Sequence, residues 1–515
     1  MGNAFVKDLP RGARIGARVL RNAGAGVTLA SALARAYAGE SALPIVATDA
    51  PVFDASRVVD TLPGAELRVS RPAPARALIA QRSEDEDAAK SKGKGRADAL
   101  LADDNLEEAP RLLSKFYGFD QVEAAYILPR PAHWSKLTNR LELGAQGALN
   151  ENIKWKLSGR FDYNAIYDLS NFYSDQVKDD QRVDAMFRET YIDVGAGNVD
   201  FRFGRQQIVW GEVVGLFFAD VVSAKDLRET ILTDFDLLRI PQWAARAEYF
   251  KNDIHLEAIW IPFPSVDRIG KPGSDYFPYP PAPPAGYATL INNERKPERN
   301  SSNQNYGLRG SILRGGWDVA GFGYRSVDSS ATFYRDLVTG SSPAVVYTPR
   351  HDKITQYGLT ASKDLNTFLI KTEAVYTVGK NFNVTRLSDS DGVVRQNYLD
   401  YIVSFEFPLP DEARFNLQFF QRRFSDHDPD ILPKKVESGV TLFWSGKWTN
   451  KLEPQILLIH SLNRSDWLLR PKLVWGFQKE WRAVVGVDIF HGPPIGLFGQ
   501  FDNKDRAYVE VRHSF

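Results

Sequence analysis

The chain offers seven histidines and no cysteine, and 64 acidic residues balance 64 Lys and Arg. Without Cys there is no disulfide, no thiolate metal site and no thiol nucleophile. A Ser–His pair facing lipid is one route to hydrolysis in a membrane barrel. The histidines are scattered, at His133, His255, His351, His427, His460, His491 and His513. His460-Ser461 and His513-Ser514 are neighbours in sequence, so on a strand each pair points to opposite faces. No H-E-x-x-H, G-x-S-x-G or phosphate-binding loop occurs, and Gly321-Phe322-Gly323 reads as strand glycine. The residue pattern therefore gives no catalytic set, no metal ligands and no cofactor. Balanced charge also gives no pull toward nucleic acid.

The charges that recur by spacing suit a water-filled interior. Lys154, Lys156, Arg160 and Asp162 alternate with apolar residues, as do Arg202, Arg246, Glu248, Lys371, Glu373, Arg422, Arg470 and Lys472. Lining a pore, these residues bias which small solutes pass. The plainer alternative is that they pair across neighbouring strands and fill a polar interior.

Such side chains need an element that holds them on one face, and the period is two. From Ile153 to Tyr167, Ile153, Trp155, Leu157, Phe161, Tyr163, Ala165 and Tyr167 share one parity and the charges share the other. Side chains alternate across a strand, so one face is aromatic and greasy and the other polar. The pattern returns at Phe368–Val378, Leu399–Phe407 and Trp467–Phe477. Strands this long fit tilted membrane crossings of about 9–11 residues better than ordinary globular strands. No run reaches the roughly 18 apolar residues of a membrane helix. Twelve per cent aromatic residues suits interfacial girdles.

Short and long links alternate from residue 119 onward. Asn150–Asn152, Gly195–Asn198, Lys251–Asp253, Arg314–Gly316, Asp364–Asn366, Pro408–Glu412, Gly446–Asn450 and Lys479-Glu480 are short; 168–181, 210–239, 262–303, 328–351, 380–396, 425–434 and 491–503 are long. Tight turns at one rim and long loops at the other mark an outer-membrane barrel. The fold class expected is all-β, an antiparallel transmembrane barrel of about 18 strands over 119–515, in the outer membrane of a Gram-negative bacterium. The last residues, Ala507 to Phe515, alternate and end on an aromatic ring, which resembles the closing strand whose terminal Phe (here Phe515) barrel-assembly machinery recognises. Outer-membrane lipid and lipopolysaccharide are the other expected partners.

The N-terminal third is a different polymer. Residues 1–38 place arginines, a small-residue run and Ala36-Tyr37-Ala38 in the order of a secretory signal peptide, the alternative being an Ala-rich disordered leader. Residues 39–118 are rich in Ala, Pro and charge and are expected to be disordered in the periplasm, with a short amphipathic helix at 97–116.

One segment is more specific. Gly204-Arg205-Gln206, then Trp210-Gly211-Glu212, then Asp220 and Asp226-Leu227-Arg228 resemble a proteobacterial family of large, mostly uncharacterised, porin-like outer-membrane barrels. The resemblance covers 119–515 and implies that Arg205, Gln206, Trp210, Glu212, Asp220 and Asp226 are signature positions. It also implies partnership with envelope exporters or with catabolism of hydrophobic compounds, so a periplasmic transporter partner is expected; the long N-terminal extension departs from the family. Residues 210–239, long and apolar at Val213, Val214, Leu216, Phe217 and Phe218, are expected to fold inward as a constriction. Glu212, Asp220, Asp226, Arg228 and Glu229 would then face the pore, unless the loop lies over the mouth instead. Loop 262–303, with Tyr276-Phe277-Pro278-Tyr279-Pro280-Pro281, is expected to be extended and exposed, a lid or adhesive surface. A channel for small solutes is the leading reading; an export or uptake conduit, an adhesive barrel and a lipid hydrolase are the alternatives.

Overall fold

The computed structural model describes residues 112–515, apart from 212, 214–218 and 284. The signal peptide, most of the extension and Glu212 lie outside the described residues.

Strands β1 Lys115–Ile127, β2 His133–Asn150, β3 Ile153–Asn164, β4 Val183–Ala196, β5 Val199–Gln206 and β6 Gln242–Lys251 come first. Then follow β7 Ile254–Phe263, β8 Asn305–Arg314, β9 Trp317–Val327, β10 Lys353–Asp364, β11 Leu369–Asn383 and β12 Val393–Pro408. The last are β13 Arg414–Phe424, β14 Val436–Ser445, β15 Leu452–Ser461, β16 Trp467–Gln478, β17 Trp481–His491 and β18 Arg506–Ser514. Each pairs antiparallel with the next, giving an 18-stranded sheet, and β18 pairs back onto β1 with Asp120 opposite His513. The backbone of Phe515 exchanges two 2.9 Å hydrogen bonds with Gly118, which completes the closure. A closed sheet leaves no orphan edge.

Links of a few residues gather at one rim, and the long links 165–182, 207–241, 264–304 and 328–352 emerge at the other. Asn252 and Asn366, in short turns, take positive φ of 52° and 65°, as tight hairpins require. Alternation sorts the faces. In β3, Leu157, Phe161 and Tyr163 are exposed on the outer wall, while Lys154, Ser158, Arg160 and Asp162 are buried inside. At the short-turn rim, ring contacts run from Trp475 to Phe477, Trp481 and His513, and Phe116 stacks on Phe515.

Three expectations need correction. The helix proposed for 97–116 does not reach its end: Leu112–Ser114 are irregular and Lys115-Phe116 already belong to β1, because Ser114 N–H bonds Gln146 O on β2 at 3.0 Å. Strand β3 stops at Asn164 rather than Tyr167. The Asn164 side-chain oxygen accepts from Leu137 N at 2.9 Å and Ile166 N at 3.3 Å, which turns the chain into a helical turn over Ile166–Leu169 and buries Tyr167. Loop 264–304 is not wholly exposed: Tyr276 and Phe277 are buried, while Tyr279 is exposed. Tyr276 packs on Phe490 and Phe501, and Phe277 joins Phe333, Val345 and Tyr347, so aromatic burial overrides proline-driven extension.

Candidate functional site

The segment 207–241 enters the barrel because β5 is short. Its neighbour β4 has 14 residues and β5 only 8, so the chain leaves the wall part-way along it. Gly204 permits the exit: its φ is 130°, and a Cβ there would lie 2.3 Å from Thr190 O. Two residues on, Gln206 is fully buried and its Nε2 donates to Ala244 O at 3.1 Å. Gln242, where the chain rejoins the wall, accepts from Ser265 N at 2.8 Å and donates to Val222 O at 3.3 Å.

Trp210 then fills an apolar niche on the inner wall. It is 1% exposed and packs on Phe322 and Tyr324 at ring separations of 5.0 and 5.7 Å, with Ile208, Ala219, Val222, Ile259 and Ile261 around it. Gly307 makes the room, since a Cβ on it would sit 2.5 Å from Trp210.

Beyond Trp210 the loop is held from strands around the barrel. Glu373 of β11 accepts the backbone N–H groups of Val213 at 2.8 Å and Ala219 at 3.0 Å. Arg160 of β3 donates to Leu237 O at 3.0 Å, and Arg188 of β4 donates to Arg239 O at 2.6 Å and also to Asp236 O. Arg470 of β16 donates to Ile231 O and Leu232 O at 3.1 and 2.7 Å. Lys136 of β2 and Arg506 of β18 pair with Glu229 at 2.7 and 3.1 Å. Tethers on β2, β3, β4, β11, β16 and β18 carry the loop across the lumen.

Charges within the loop are matched. Asp226 bonds Arg228 at 2.8 and 2.6 Å, Arg228 reaches Asp184 at 2.8 Å, and Asp220 pairs with Arg239 at 2.8 Å. Burial pushes the Asp226 carboxyl up, but Arg228 and Arg268 outweigh it and hold its pKa well below the usual range. Glu229 behaves alike: burial raises, Lys136 and Arg506 lower, and the cations prevail. A second long loop reaches in through Asp275, which accepts from Tyr173 Oη at 2.6 Å and Lys504 Nζ at 3.0 Å and lies 3.0 Å from His133 Nε2.

Two spaces lie beside the described part of the inward loop. A small cavity of about 70 Å³ is enclosed by Lys136, Arg140, Arg160, Asp162, Asp226, Arg228, Glu229 and Arg506. A larger one, about 490 Å³, lies between the inward loop and the wall of β9–β13. Val221, Leu227 and Ile231 line its loop side; Ser326, Gln356, Asn381, Asn383 and Tyr398 line its wall. Its wall charges are paired, Lys380 with Asp328 and Arg422 with Asp400 at 2.7 and 2.8 Å.

The predicted lumen residues all lie on the inner face. Arg202 is bidentate to Asp193 at 2.5 and 2.8 Å, Arg140 holds Asp162, Lys156 pairs with Glu189 at 2.6 Å, and Lys371 lies 3.6 Å from Glu406. Lys154 is buried among them. Gln206, Trp210, Asp220, Asp226 and Arg228 come together in the inward loop, and Arg205 is half-buried at its root. Sequence reading missed Lys136, Arg188 and Arg506, although their strand parity marks them as inward. It also missed Asp275 and Gln242, for which no local pattern exists. Glu248, His255 and Glu257 converge on the inner face with metal-ligand spacing. Arg246 bridges the two carboxylates at 2.9 and 2.8 Å, so it already supplies the positive charge a cation would bring.

The sequence profile of DUF1302, described as a protein of unknown function, matches residues 134–515, well over half of the chain. The chain belongs to this family. The match spans β2 to β18 and contains the whole inward loop. No curated protein matches the chain. Solved structures similar to it include Acinetobacter baumannii OccAB1, at 8% identity over 80% of this chain and 97% of that one, with a TM-score of 0.49. Pseudomonas aeruginosa OccK2 (OpdF), in complex with glucuronate, is 10% identical over 78% of this chain and 96% of its own, with a TM-score of 0.45. A loop-deletion mutant of OmpT, an outer membrane protein of Vibrio cholerae, is 12% identical over 79% and 100%, with a TM-score of 0.39. Likeness at this level says nothing about cargo.

Proposed function

We propose that this DUF1302 barrel spans the outer membrane of a Gram-negative bacterium and conducts small solutes past its inward loop. The outer wall supports the location: exposed outward residues such as Phe203, Trp260, Leu308 and Leu359 suit acyl chains, and closure satisfies the backbone. The observation that carries the channel reading is the 490 Å³ cavity between the loop and the β9–β13 wall. Its loop side sets the aliphatic Val221, Leu227 and Ile231 beside Asp220 and Lys225, and its wall offers hydroxyls and amides among charges that are already paired. That lining fits a small solute with one apolar edge and hydrogen-bonding groups opposite, and gives little purchase to a bare ion. In this setting Arg205, Gln206, Trp210, Asp220, Asp226 and Arg228 build the constriction rather than bind cargo. Phe515 would be handed to barrel-assembly machinery, lipopolysaccharide would surround the long-loop rim, and a periplasmic transporter would serve as partner.

Single-channel recording of the refolded protein tests this. The expected result is small discrete steps that grow when residues 213–235 are deleted, with swelling of proteoliposomes in amphipathic uncharged solutes. Absence of conductance in both proteins, with each folded as judged by heat-modifiable gel mobility, refutes it. Loss of the detergent requirement refutes the membrane placement itself.

A further inference from the structure

Outward strand positions are mostly bulky, but between β6 and β9 the outer wall sinks. A recess of about 580 Å³ is floored there, on the outward parity, by Ala247, Ala258, Gly310, Gly321 and Gly323. Tyr249, Leu256 and Leu308 flank the floor, and Leu359 and Tyr357 of β10 stand opposite Gly321 and Gly323 in the ladder. The room is real at Gly323, where a Cβ would come no nearer than 3.7 Å to Tyr357. Against lipid such a hollow has to be filled, because an empty one forfeits dispersion contacts along its whole lining.

The same face carries cations between the recess and the long-loop rim. Arg325 follows Gly323 on the outward side of β9, Lys353 begins β10 opposite Val327, and the Arg299 guanidinium sits 5.9 Å from the ring centre of Phe263 at the end of β7. All three are exposed, and among the described residues none is paired with a carboxylate. The ladder partners of Arg325 are Tyr306 and Thr355, a ring and a hydroxyl without charge. The step from Gly321 to Arg325 is about 13 Å along the strand and about 10 Å in height at a tilt near 40°. One leaflet of a hydrocarbon core about 30 Å thick is deeper than that, so a headgroup held at Arg325 keeps its chain level with the recess. Arg395 and Arg423 also face outward near this rim, on β12 and β13, but the wall below them is filled by Tyr401, Phe405 and Phe419.

We propose that the β6–β10 face binds one molecule of lipid A, the phosphorylated acyl anchor of lipopolysaccharide. Its phosphates meet Arg299, Arg325 and Lys353, and one of its acyl chains lies in the recess. Guanidinium and ammonium donors match phosphate oxygens, and basic clusters beside a membrane-spanning wall recognise anionic headgroups. A phospholipid could fill the hollow but brings a single phosphate, which three unpaired cations exceed; lipid A brings two. The site rests on the membrane reading, in which the long-loop rim is the lipopolysaccharide side.

The full-length protein, extracted from outer membranes in mild detergent, is exchanged into micelles carrying bisphosphoryl lipid A, monophosphoryl lipid A or phosphatidylethanolamine, and native mass spectrometry counts the lipid it keeps. The expected result is one bisphosphoryl lipid A per chain, with monophosphoryl lipid A and phosphatidylethanolamine retained several-fold less. Gly323→Leu, which fills the recess, and the double variant Arg325→Gln with Lys353→Gln should each lower retention several-fold while the barrel keeps its heat-modifiable mobility. Arg423→Gln on β13 should leave it unchanged. Equal retention by every variant, equal loss in Arg423→Gln, or equal retention of phosphatidylethanolamine each overturn the proposal. Fractionation with outer membranes checks the membrane reading separately, so a protein that fractionates there yet keeps no lipid A refutes this site alone.

Discussion

Glu373→Ala is the sharpest test of the inward loop, because one side chain on the far wall holds both ends of its tip. Glu373 is buried on β11 and accepts two backbone N–H groups, from Val213 and Ala219, at 2.8 and 3.0 Å. Hydrogen bonds to a charged acceptor contribute about 1.5–3 kcal/mol each. The lumen is polar and the freed N–H groups can take up water, so the lower end applies, about 3 kcal/mol for the pair. At about 1.4 kcal/mol per factor of ten, the tip-released state should gain roughly 100-fold in population. Planar-bilayer recordings should show brief excursions from the small conductance toward the level of the 213–235 deletion. Glu373→Gln keeps one acceptor without charge and should fall between. The reasoning is refuted if Glu373→Ala, folded by gel mobility, gives the native trace while the deletion gives a larger one. The remaining tethers would then hold the tip unaided.

Three further outcomes follow from the same geometry. Trp210→Ala removes the largest side chain of a buried cluster and should lower barrel stability by about 3–5 kcal/mol, read as an earlier urea midpoint in gel-mobility unfolding. Glu229 has its pKa lowered from the ordinary 4.5 by Lys136 and Arg506. A depressed carboxylate stabilises above its free-state pKa, and that contribution is lost as pH falls through the bound one; conductance should therefore stay constant from pH 8 to pH 5 and become noisier only below about 4.5, and a transition near neutrality would contradict the pairing. Arg422→Ala strips Asp400 of its bidentate partner beside the larger cavity, and should turn a weakly selective pore cation-selective, seen as a shift in reversal potential under a salt gradient.

The barrel was largely legible because its signal is repeated. Eighteen strands, their inward and outward faces, and the alternation of short and long links all follow from period two and turn residues, which are local properties. Ends of strands were less legible. Tyr167 continues the parity of β3, yet a single Asn164 side chain diverts the chain, and nothing in alternation foretells that. The loops show where local reading ends. Pro278 and Pro280 argue for extension, but Tyr276 and Phe277 find aromatic partners hundreds of residues away in sequence or on another loop. Asp275, which ties His133, Tyr173 and Lys504 together, is one acid among many until the fold brings those three to it.

The lumen charges are the most instructive case, since two readings were open and a third also operates. Some do pair across strands, as Arg140 with Asp162 and Arg202 with Asp193. Arg160, Arg188 and Arg470 instead spend donors on loop carbonyls at Leu237, Arg239, Ile231 and Leu232. A chain that leaves its sheet in mid-barrel carries unpaired carbonyls into the interior, and each needs a donor. Arginine suits this because its several N–H groups reach a carbonyl while another still holds a carboxylate, as Arg470 does with Asp488 at 2.7 Å. Inward arginines therefore tell of a loop that must be held as much as of an ion that must be attracted. A pore built this way presents passing solutes with groups already neutralised, and its preference must come from shape and from the hydroxyls and amides left over.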